Sequence, residues 1–329
     1  MPVEARQQSA RVAVVDLGTN STRLLVADVS DGAVTEIERL TQVTRLGQGV
    51  DASGRLCEPA MARVHETVDR YAGVVAGLEA EHVVALATSA VRDADNGDQF
   101  RRAVAERLGA EVHVISGEQE ARLTFRGATA ARPPDPAATL VLDIGGGSTE
   151  LIVGAPGADP DFDISTAVGA VRQTERHIDG DPPPPEQLRR LADEVRSLIE
   201  EAVPDALRSQ TQSGIAVAGT ATSLAAIDQR LERYDPARVD GYRLTLEACE
   251  RMLEMLAALP LAERRRVAGL DPDRAPTIIA GAIILIEAMR AFGFEAVETS
   301  EADILHGAAL ASVSSESGLP FATTAGPRR

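Results

Sequence analysis

Two short stretches of the chain place carboxylates beside turns that are rich in glycine and hydroxyl groups. Residues 12–29 read VAVVDLGTNSTRLLVADV, and residues 140–154 read LVLDIGGGSTELIVG. In each stretch an apolar strand ends at an aspartate, a short polar turn follows, and a second apolar strand begins. This order predicts two β-hairpins of similar design. A dinucleotide-binding turn would open a helix, whereas a strand follows here, so the sequence does not predict a dinucleotide site.

The turns carry the chemical groups that hold a phosphate. Glycine lets the backbone approach a ligand closely, and consecutive N–H groups form a concave anion site. We expect the two turns to face each other and to clamp a polyphosphate group. The residues of this expected clamp are Asp16, Gly18, Thr19, Asn20, Ser21, Arg23, Gly145, Gly146, Gly147, Ser148 and Thr149. Two alternatives stay open: the glycine run is only a tight turn, and Arg23 points outward from its strand.

Acidic residues flank the second turn, with Asp143 before the glycines and Glu150 after them. Two carboxylates at this place would repel a phosphate unless a cation lay between them. Mg²⁺ suits such a site because it prefers a few carboxylates together with waters and phosphate oxygens. The sequence therefore predicts a Mg²⁺ site at Asp143 and Glu150, in which Mn²⁺ could substitute.

The composition excludes several classes of function. Acidic residues exceed basic ones by 17, which disfavours duplex nucleic acid as a partner. All 33 basic residues are arginine, so chemistry that needs a lysine is excluded, and any cationic side chain on a phosphate is a guanidinium. Residues 1–10 lack the apolar stretch of a secretion signal, and no apolar run is long enough to span a bilayer. We therefore expect a cytoplasmic protein with no membrane partner.

The rest of the pattern alternates helices and strands, as in an α/β protein. Because the hairpin occurs twice, the sequence predicts two similar α/β halves that face one another. Asn96 is expected to cap a helix that ends at Gly109. The other expected helices lie at 58–80, 117–131, 275–291 and from about 302. The other expected strands lie at 82–88, 111–116, 215–220 and 295–299.

Five segments, in one order, resemble a known family. They are DLGTNSTRLLV, ATSAVRDADN, SGEQEARLTF, LDIGGGSTELIVG and AVAGTATSLAAI. Together they resemble the exopolyphosphatase and guanosine pentaphosphate phosphohydrolase family over about residues 11–310. The resemblance implies two ribonuclease H-like domains of the actin/Hsp70/sugar-kinase superfamily, with a cleft between them. The expected boundaries are a first domain of residues 1–130 with a C-terminal helix at about 303–318, a second domain at 131–302, and a disordered tail at 319–329.

The resemblance also implies roles for residues outside the hairpins. Glu120 takes the place of the acid that orients and deprotonates the attacking water, and Glu118 is the alternative acid. Glu150 is also expected to be catalytic, because it would hold the Mg²⁺ ion together with Asp143. Arg92 matches a phosphate-binding arginine, although arginines beside acidic residues are more often solvated. A loop that faces the nucleoside in relatives is matched by Gly219 and Thr220, although AGT before a helix is also an ordinary N-cap.

The activity that the resemblance implies is Mg²⁺-dependent hydrolysis of the terminal phosphate of inorganic polyphosphate. The alternative is hydrolysis of guanosine pentaphosphate or of another nucleotide at its 5′ phosphates. A third interpretation is a nucleotide-responsive binding protein with weak turnover, like an actin-type filament or a chaperone switch, against which Glu120 argues. The sequence does not fix the oligomeric state, and it allows a homodimer.

Two features differ from the family pattern. The chain lacks the His-Asp domain of the longer members, so it resembles the short form. The family's SDGALREG motif corresponds to SEADILHG at 300–307, where Leu305 replaces an arginine. We therefore expect a weaker hold on long polyphosphate. Leu305→Arg should restore the lost contact if the new side chain can reach the cleft; if position 305 is buried, the unpaired cation should instead destabilise the fold.

Overall fold

Two β-sheets organise the chain, and each begins with one of the hairpins that the sequence predicts. The structure, a computed structural model, describes residues 10–313. Within these residues the first sheet has five strands and the second has six. Both hairpin turns line a cleft between the sheets.

The first sheet contains strands β1 to β5, at Ala10–Leu17, Ser21–Ser30, Ala33–Val43, His82–Ala87 and Val112–Val114. Their order across the sheet is β3-β2-β1-β4-β5. β1, β2 and β3 pair in an antiparallel manner, whereas β1, β4 and β5 are parallel to one another. β1 is a nearly continuous run of apolar residues because its central position buries both of its faces.

The second sheet repeats this arrangement. Its strands β6 to β11 lie at Thr139–Ile144, Thr149–Gly154, Phe162–Thr166, Ser213–Val217, Arg243–Thr245 and Ala296–Thr299. The order β8-β7-β6-β9-β11 matches the order of the first sheet, and β10 adds an antiparallel edge. In both sheets three antiparallel strands lead into parallel ones, which is the ribonuclease H-like topology. The predicted fold class is confirmed.

Helices cover the faces of both sheets. In the first half they are α1 to α5, at Val50–Ser53, Glu58–Gly77, Ser89–Arg92, Gly97–Leu108 and Gly117–Thr129. In the second half they are α6 to α13, at Ala170–His177, Pro185–Ala202, Asp205–Gln210, Ala218–Asp228, Pro236–Val239, Leu246–Ala258, Leu261–Arg264 and Ile278–Phe292. Within residues 10–313, none of these helices combines the length and the apolar character that a membrane span requires.

The last helix, α14 at Ile304–Val313, returns to the first half of the chain. It packs against α5 and the first sheet. The two helices cross so closely that a Cβ atom on Gly307 would overlap the carbonyl group of Leu123. The predicted domain boundaries stay predictions, and the expected helix end at 318 and the tail at 319–329 lie outside the described residues.

Some elements differ from the sequence-based expectations. The sequence did not predict the strands β3, β8 and β10. They lie at sheet edges and are half-exposed or very short, so they carry no clear hydrophobic pattern. Asn96 precedes α4 but does not cap it. Its side-chain amide binds the backbone N–H and carbonyl of Leu56 at 2.9 and 3.0 Å, so the predicted cap is wrong. The helix does end at Gly109, as predicted, and this glycine has a left-handed backbone conformation.

Leu305 lies in the core of the first half. Its side chain is fully buried in a hydrophobic cluster that includes Val12, Leu25 and Leu123. An arginine at this position would be surrounded by apolar side chains and would have no phosphate to bind. Of the two outcomes expected for Leu305→Arg, the restored phosphate contact is therefore wrong, and the burial of position 305 favours destabilisation of the fold.

Candidate active site

The two hairpin turns face each other across the cleft. A Cβ atom on Gly146 would lie 3.1 Å from the backbone nitrogen of Asn20, and one on Gly147 would collide with the hydroxyl of Ser89. Glycine is therefore required for this close approach. Within residues 10–313, the N–H groups of Gly146, Gly147 and Asn20 donate to no protein acceptor. The facing turns thus present the concave set of donors that binds an anion.

Backbone hydrogen bonds fix the shape of each turn. Gly18 N donates to Ser21 O at 3.0 Å, and Gly145 N donates to Ser148 O at the same distance. The N-terminus of α6 supports the second turn, since Ala170 N donates to Gly145 O at 2.9 Å. The turns therefore keep their shape without help from a ligand, as preorganised binding groups do.

The two hairpins place different charges at equivalent positions. In the first, Asp16 pairs in register with Arg23, and in the second, Asp143 pairs with Glu150. Arg23 does not point outward: its guanidinium forms an ion pair with Asp16 at 2.8 Å and another with Asp303. The acid of the first hairpin is therefore neutralised by its neighbour, while the second hairpin carries two carboxylates side by side.

Four carboxylates are buried around the turns. The exposed fractions are 3% for Asp16, 9% for Glu120, 6% for Asp143 and 1% for Glu150. Asp143 accepts a hydrogen bond from Thr124 Oγ1 at 3.3 Å, and Glu150 accepts one from Ser165 Oγ at 2.7 Å. Such a concentration of buried acids is costly unless protons or cations compensate the charge.

The buried acids have strongly shifted pKa values. Burial, with repulsion from Glu150, raises the pKa of Asp143 to about 8. The same two causes raise the pKa of Glu120 well above its usual range, while the nearby Arg92 opposes the shift. Burial also raises the pKa values of Asp16 and Glu150. Clusters of acids with raised pKa values are typical of functional sites in clefts.

Helix α5 carries Glu120 into the cleft. The helix begins with a capping box, in which Ser116 and Gln119 satisfy each other's backbone N–H groups at 3.2 and 2.9 Å. Glu120 faces the hairpin turns, and Arg92 Nη1 lies 3.3 Å from its Oε2. Glu118 is exposed and pairs with Arg122 at 2.9 Å, outside the cleft. Of the two candidate acids, only Glu120 is placed to act on a ligand between the turns.

Most of the predicted site residues line one cavity of about 90 Å³. The predicted residues in its wall are Asp16, Gly18, Thr19, Asn20, Ser21, Arg23, Glu120, Asp143, Gly145, Gly146, Gly147, Ser148, Gly219 and Thr220. The cavity adjoins a second one of about 570 Å³, with which it shares the lining residues Arg23, Ala218, Gly219 and Arg274. We call the first cavity the phosphate cleft and the second the outer cavity.

Comparisons with known proteins agree with this site. The model of the Ppx/GppA phosphatase family matches residues 25–316. The chain belongs to this family. Exopolyphosphatase 2 of Mycobacterium tuberculosis is 38% identical to it over 318 residues, which cover 91% of this chain and 98% of the relative.

Solved structures of the family resemble the chain over nearly its whole length. A crystal structure of an exopolyphosphatase-like protein has a TM-score of 0.87 at 34% identity, and it covers 93% of this chain and 98% of its own. The Ppx/GppA family member of Aquifex aeolicus has a TM-score of 0.78 at 29% identity, with the same coverage. As a Ppx/GppA phosphatase, the chain is a hydrolase that acts on phosphoanhydride bonds.

Three predicted residues do not line the phosphate cleft of this family member. Arg92 lies beside it, where its guanidinium also donates to the Ile115 carbonyl at 2.8 Å. Thr149 uses its hydroxyl to bind the carbonyl of Val168. Glu150 is buried beside Asp143, its register partner on the neighbouring strand. None of these three side chains lines the cavity, so any contribution to ligand binding would have to pass through neighbouring groups.

Arg274 is a site residue that the sequence interpretation missed. Its side chain lines both cavities, and its guanidinium lies so close to Gly219 that a Cβ atom there would overlap it. Within residues 10–313 it forms no ion pair and no side-chain hydrogen bond, so its donors are available to a ligand. The only signal in the sequence is an arginine in a proline-flanked loop before an apolar helix, and this pattern is not specific.

The residues of the cleft fit a divalent cation. Asp16 Oδ1 is buried and has no hydrogen-bond partner within residues 10–313. Asp143 and Glu150 lie directly opposite in the hairpin, so their side chains share one face of the sheet. No three His, Cys, Asp or Glu side chains of the described part of the chain form a ready-made metal cage. A site with few protein ligands suits Mg²⁺, which keeps waters and binds substrate phosphates.

Proposed function

We propose that this protein is an exopolyphosphatase, which removes the terminal phosphate of inorganic polyphosphate with the help of Mg²⁺. The observation that carries the proposal is the pair of facing glycine turns, which line a cavity bordered by Glu120. Within residues 10–313, the N–H groups of Asn20, Gly146 and Gly147 in these turns donate to no protein acceptor. A terminal phosphate fits such a place because it is compact, anionic and open to attack from the side of the acid. The relatives named exopolyphosphatase support the same substrate.

Binding and orientation of the phosphate are the main tasks of the cleft. The N–H groups of Asn20, Gly146 and Gly147 hold the oxygens of the terminal phosphate, and Arg274 holds the next phosphate in the chain. In the transition state for phosphoryl transfer, charge spreads over the phosphoryl oxygens. Donors that are already in place stabilise this charge without having to reorganise.

Glu120 is the general base of the proposed reaction. Its carboxylate accepts a proton from the attacking water, whose oxygen forms the new bond to the terminal phosphorus. The bond to the bridging oxygen breaks, and the shortened chain leaves with the electron pair. The raised pKa of Glu120, caused by burial and by repulsion from Glu150, makes its carboxylate a stronger base than an ordinary glutamate.

Asp143 and Glu150 would hold Mg²⁺ beside the second turn, with Asp16 accepting hydrogen bonds from its waters. The ion would neutralise charge on the phosphate oxygens. Without a cation, the two adjacent carboxylates would repel the substrate. The predicted Mn²⁺ substitution belongs to the same proposal, since Mn²⁺ accepts similar oxygen ligands.

Hydrolysis of guanosine pentaphosphate or another nucleotide is the second candidate. The outer cavity favours it, because about 570 Å³ next to the phosphate cleft could hold a nucleoside. Gly219 borders both cavities, and Tyr234 gives the outer one an aromatic wall. A nucleoside in this place would leave its phosphates directed at the glycine turns.

Phosphate release separates these candidates. The full-length protein is incubated with Mg²⁺ and, side by side, with tripolyphosphate, long-chain polyphosphate, guanosine pentaphosphate and ATP. We expect a higher kcat/KM for a polyphosphate than for either nucleotide. A higher kcat/KM for guanosine pentaphosphate would favour the second candidate, and no release from any of the four would contradict both.

A further inference from the structure

The outer cavity differs from the phosphate cleft in its charge. Five carboxylates line it, and we call them the acidic wall: Glu36, Glu232, Asp271, Glu301 and Asp303. Within the described part of the chain, three basic residues line the same cavity: Arg23, Arg39 and Arg274. The lining therefore carries more negative than positive charge, although it adjoins a site for phosphate.

Two of the three arginines are already engaged by carboxylates. Arg39 lies 3.1 Å from Glu301, 3.3 Å from Glu36 and 3.8 Å from Asp303. Arg23 is held between Asp16 and Asp303, as described above. A phosphate that enters the outer cavity could gain contacts with these guanidinium groups only in competition with carboxylates that are already in place.

Arg274 is the remaining cation, and it stands at the boundary of the two cavities. It can serve the phosphates nearest the reacting one. In the same cavity, Glu232 is exposed in the wall, and Glu301 is 14% exposed at its side chain. After its first few phosphates, a long polyphosphate would thus find no further unpaired guanidinium group in the described part of this cavity.

We propose that the acidic wall makes this enzyme select short phosphate chains over long ones. The inference rests on the proposed exopolyphosphatase function and assigns a specificity role to Glu301 and Glu232. Every phosphate of a long chain carries negative charge, so a chain that continues through the outer cavity is repelled by the wall. A short chain that ends near Arg274 meets fewer of these carboxylates and is repelled less. Selection by repulsion is a general way to discriminate between similar ligands.

Glu301 is the most informative position for a test. It pairs with Arg39 and accepts a hydrogen bond from the hydroxyl of Tyr234. Glu301→Gln keeps the shape and the hydrogen-bonding capacity of the side chain, removes one negative charge, and frees part of the charge of Arg39. Glu232→Gln changes an exposed acid of the same wall and provides a second variant if the first one is unstable.

The test compares kcat/KM for long-chain polyphosphate with kcat/KM for tripolyphosphate, at constant ionic strength and with Mg²⁺. In the parent protein the ratio of long to short should lie below one. A charge-assisted contact accounts for roughly tenfold in affinity, so Glu301→Gln should raise the ratio by about tenfold, and Glu232→Gln should raise it less. The matched control is Glu247→Gln, an ion-paired glutamate on the surface of α11 that lines neither cavity.

The outcomes separate this inference from the function on which it rests. A parent ratio at or above one, or ratios that stay unchanged in both variants, would overturn the acidic wall as the selector. A rise of the same size in Glu247→Gln would also overturn it, because the effect would then come from overall charge. Failure of the parent protein to release phosphate from any chain length would instead contradict the proposed function.

Discussion

Arg23 and Glu150 show how one duplicated hairpin has acquired two tasks. They occupy equivalent register positions, opposite Asp16 and Asp143 respectively. In the first hairpin Arg23 supplies a positive charge beside Asp16, which it shares with Asp303. The aspartate–glutamate pair of the second is not balanced, and burial raises the pKa values of both acids. A divalent cation is therefore expected at the second hairpin and not at the first.

Mg²⁺ should stabilise the protein more at high pH than at low pH. The pKa of Asp143 is raised by burial to about 8, so between its unfolded and folded pKa values the folded state binds more protons than the unfolded state. Without metal, the free energy of unfolding therefore falls as pH rises through this interval. Thermal unfolding with and without Mg²⁺ should show a larger increase of Tm at about pH 9 than at about pH 6. Equal increases at both pH values would contradict a cation at these acids.

Asp143→Asn should raise the Mg²⁺ concentration that gives half-maximal phosphate release, because it removes one anionic ligand. We expect a shift of roughly tenfold, from the loss of one charge-assisted contact. A matched control is Asp163→Asn, on the edge strand β8 outside the cleft. An unchanged Mg²⁺ requirement in Asp143→Asn, or full activity of the parent protein in excess chelator, would show that the metal lies elsewhere or is not needed.

At the scale of elements, helix α6 connects the second turn to the first half of the chain. Arg172, near its start, donates to the carbonyl of Gly147 at 2.9 Å, and it pairs with Asp93 at 2.7 Å and with Asp51. Asp51 lies in α1 and Asp93 directly follows α3, and both helices belong to the first half of the chain. One side chain thus fixes both the turn and the separation of the two halves.

Arg172→Gln should reduce kcat/KM for polyphosphate by about tenfold or more, because small displacements of a binding turn are costly in rate. Arg176→Gln is the control, since Arg176 pairs with Asp51 and lies on the same helix but makes no bond to the turn. We expect the control to change kcat/KM only slightly. Equal effects of the two changes would mean that the ion pairs alone matter, and that the contact with Gly147 does not.

Because α14 packs Leu305 into the hydrophobic core, a charged side chain at this position should reduce the stability of the protein. Leu305→Arg should lower the free energy of unfolding by about 3 kcal/mol or more, because the cation would be buried without a partner. Leu305→Met, which conserves volume, should cost less than about 1.5 kcal/mol. Thermal or urea unfolding measures both. If Leu305→Arg were as stable as the parent, the side chain at 305 would have to reach solvent, contrary to its burial.

For the molecule as a whole, the sequence predicted the parts that depend on local patterns. The glycine turns, their flanking acids and the duplication are visible as short motifs, and the structure places both turns in one cleft. Arg274 was not predicted because it reaches the cleft through tertiary packing of a loop. The role expected for Leu305 was wrong because alignment to a motif does not show which way a helical side chain points.

The cleft between the two halves brings Glu120 from one helix to the turns of both sheets, where we propose that the terminal phosphate binds. The central claim is that this acid activates water for attack on that phosphate. The most direct test is kcat for polyphosphate in Glu120→Gln, with Glu118→Gln as control and binding measured separately. We predict a fall in kcat of about 10²- to 10⁴-fold in Glu120→Gln with binding preserved, and a nearly parental kcat in Glu118→Gln. A parental kcat in Glu120→Gln would contradict the account.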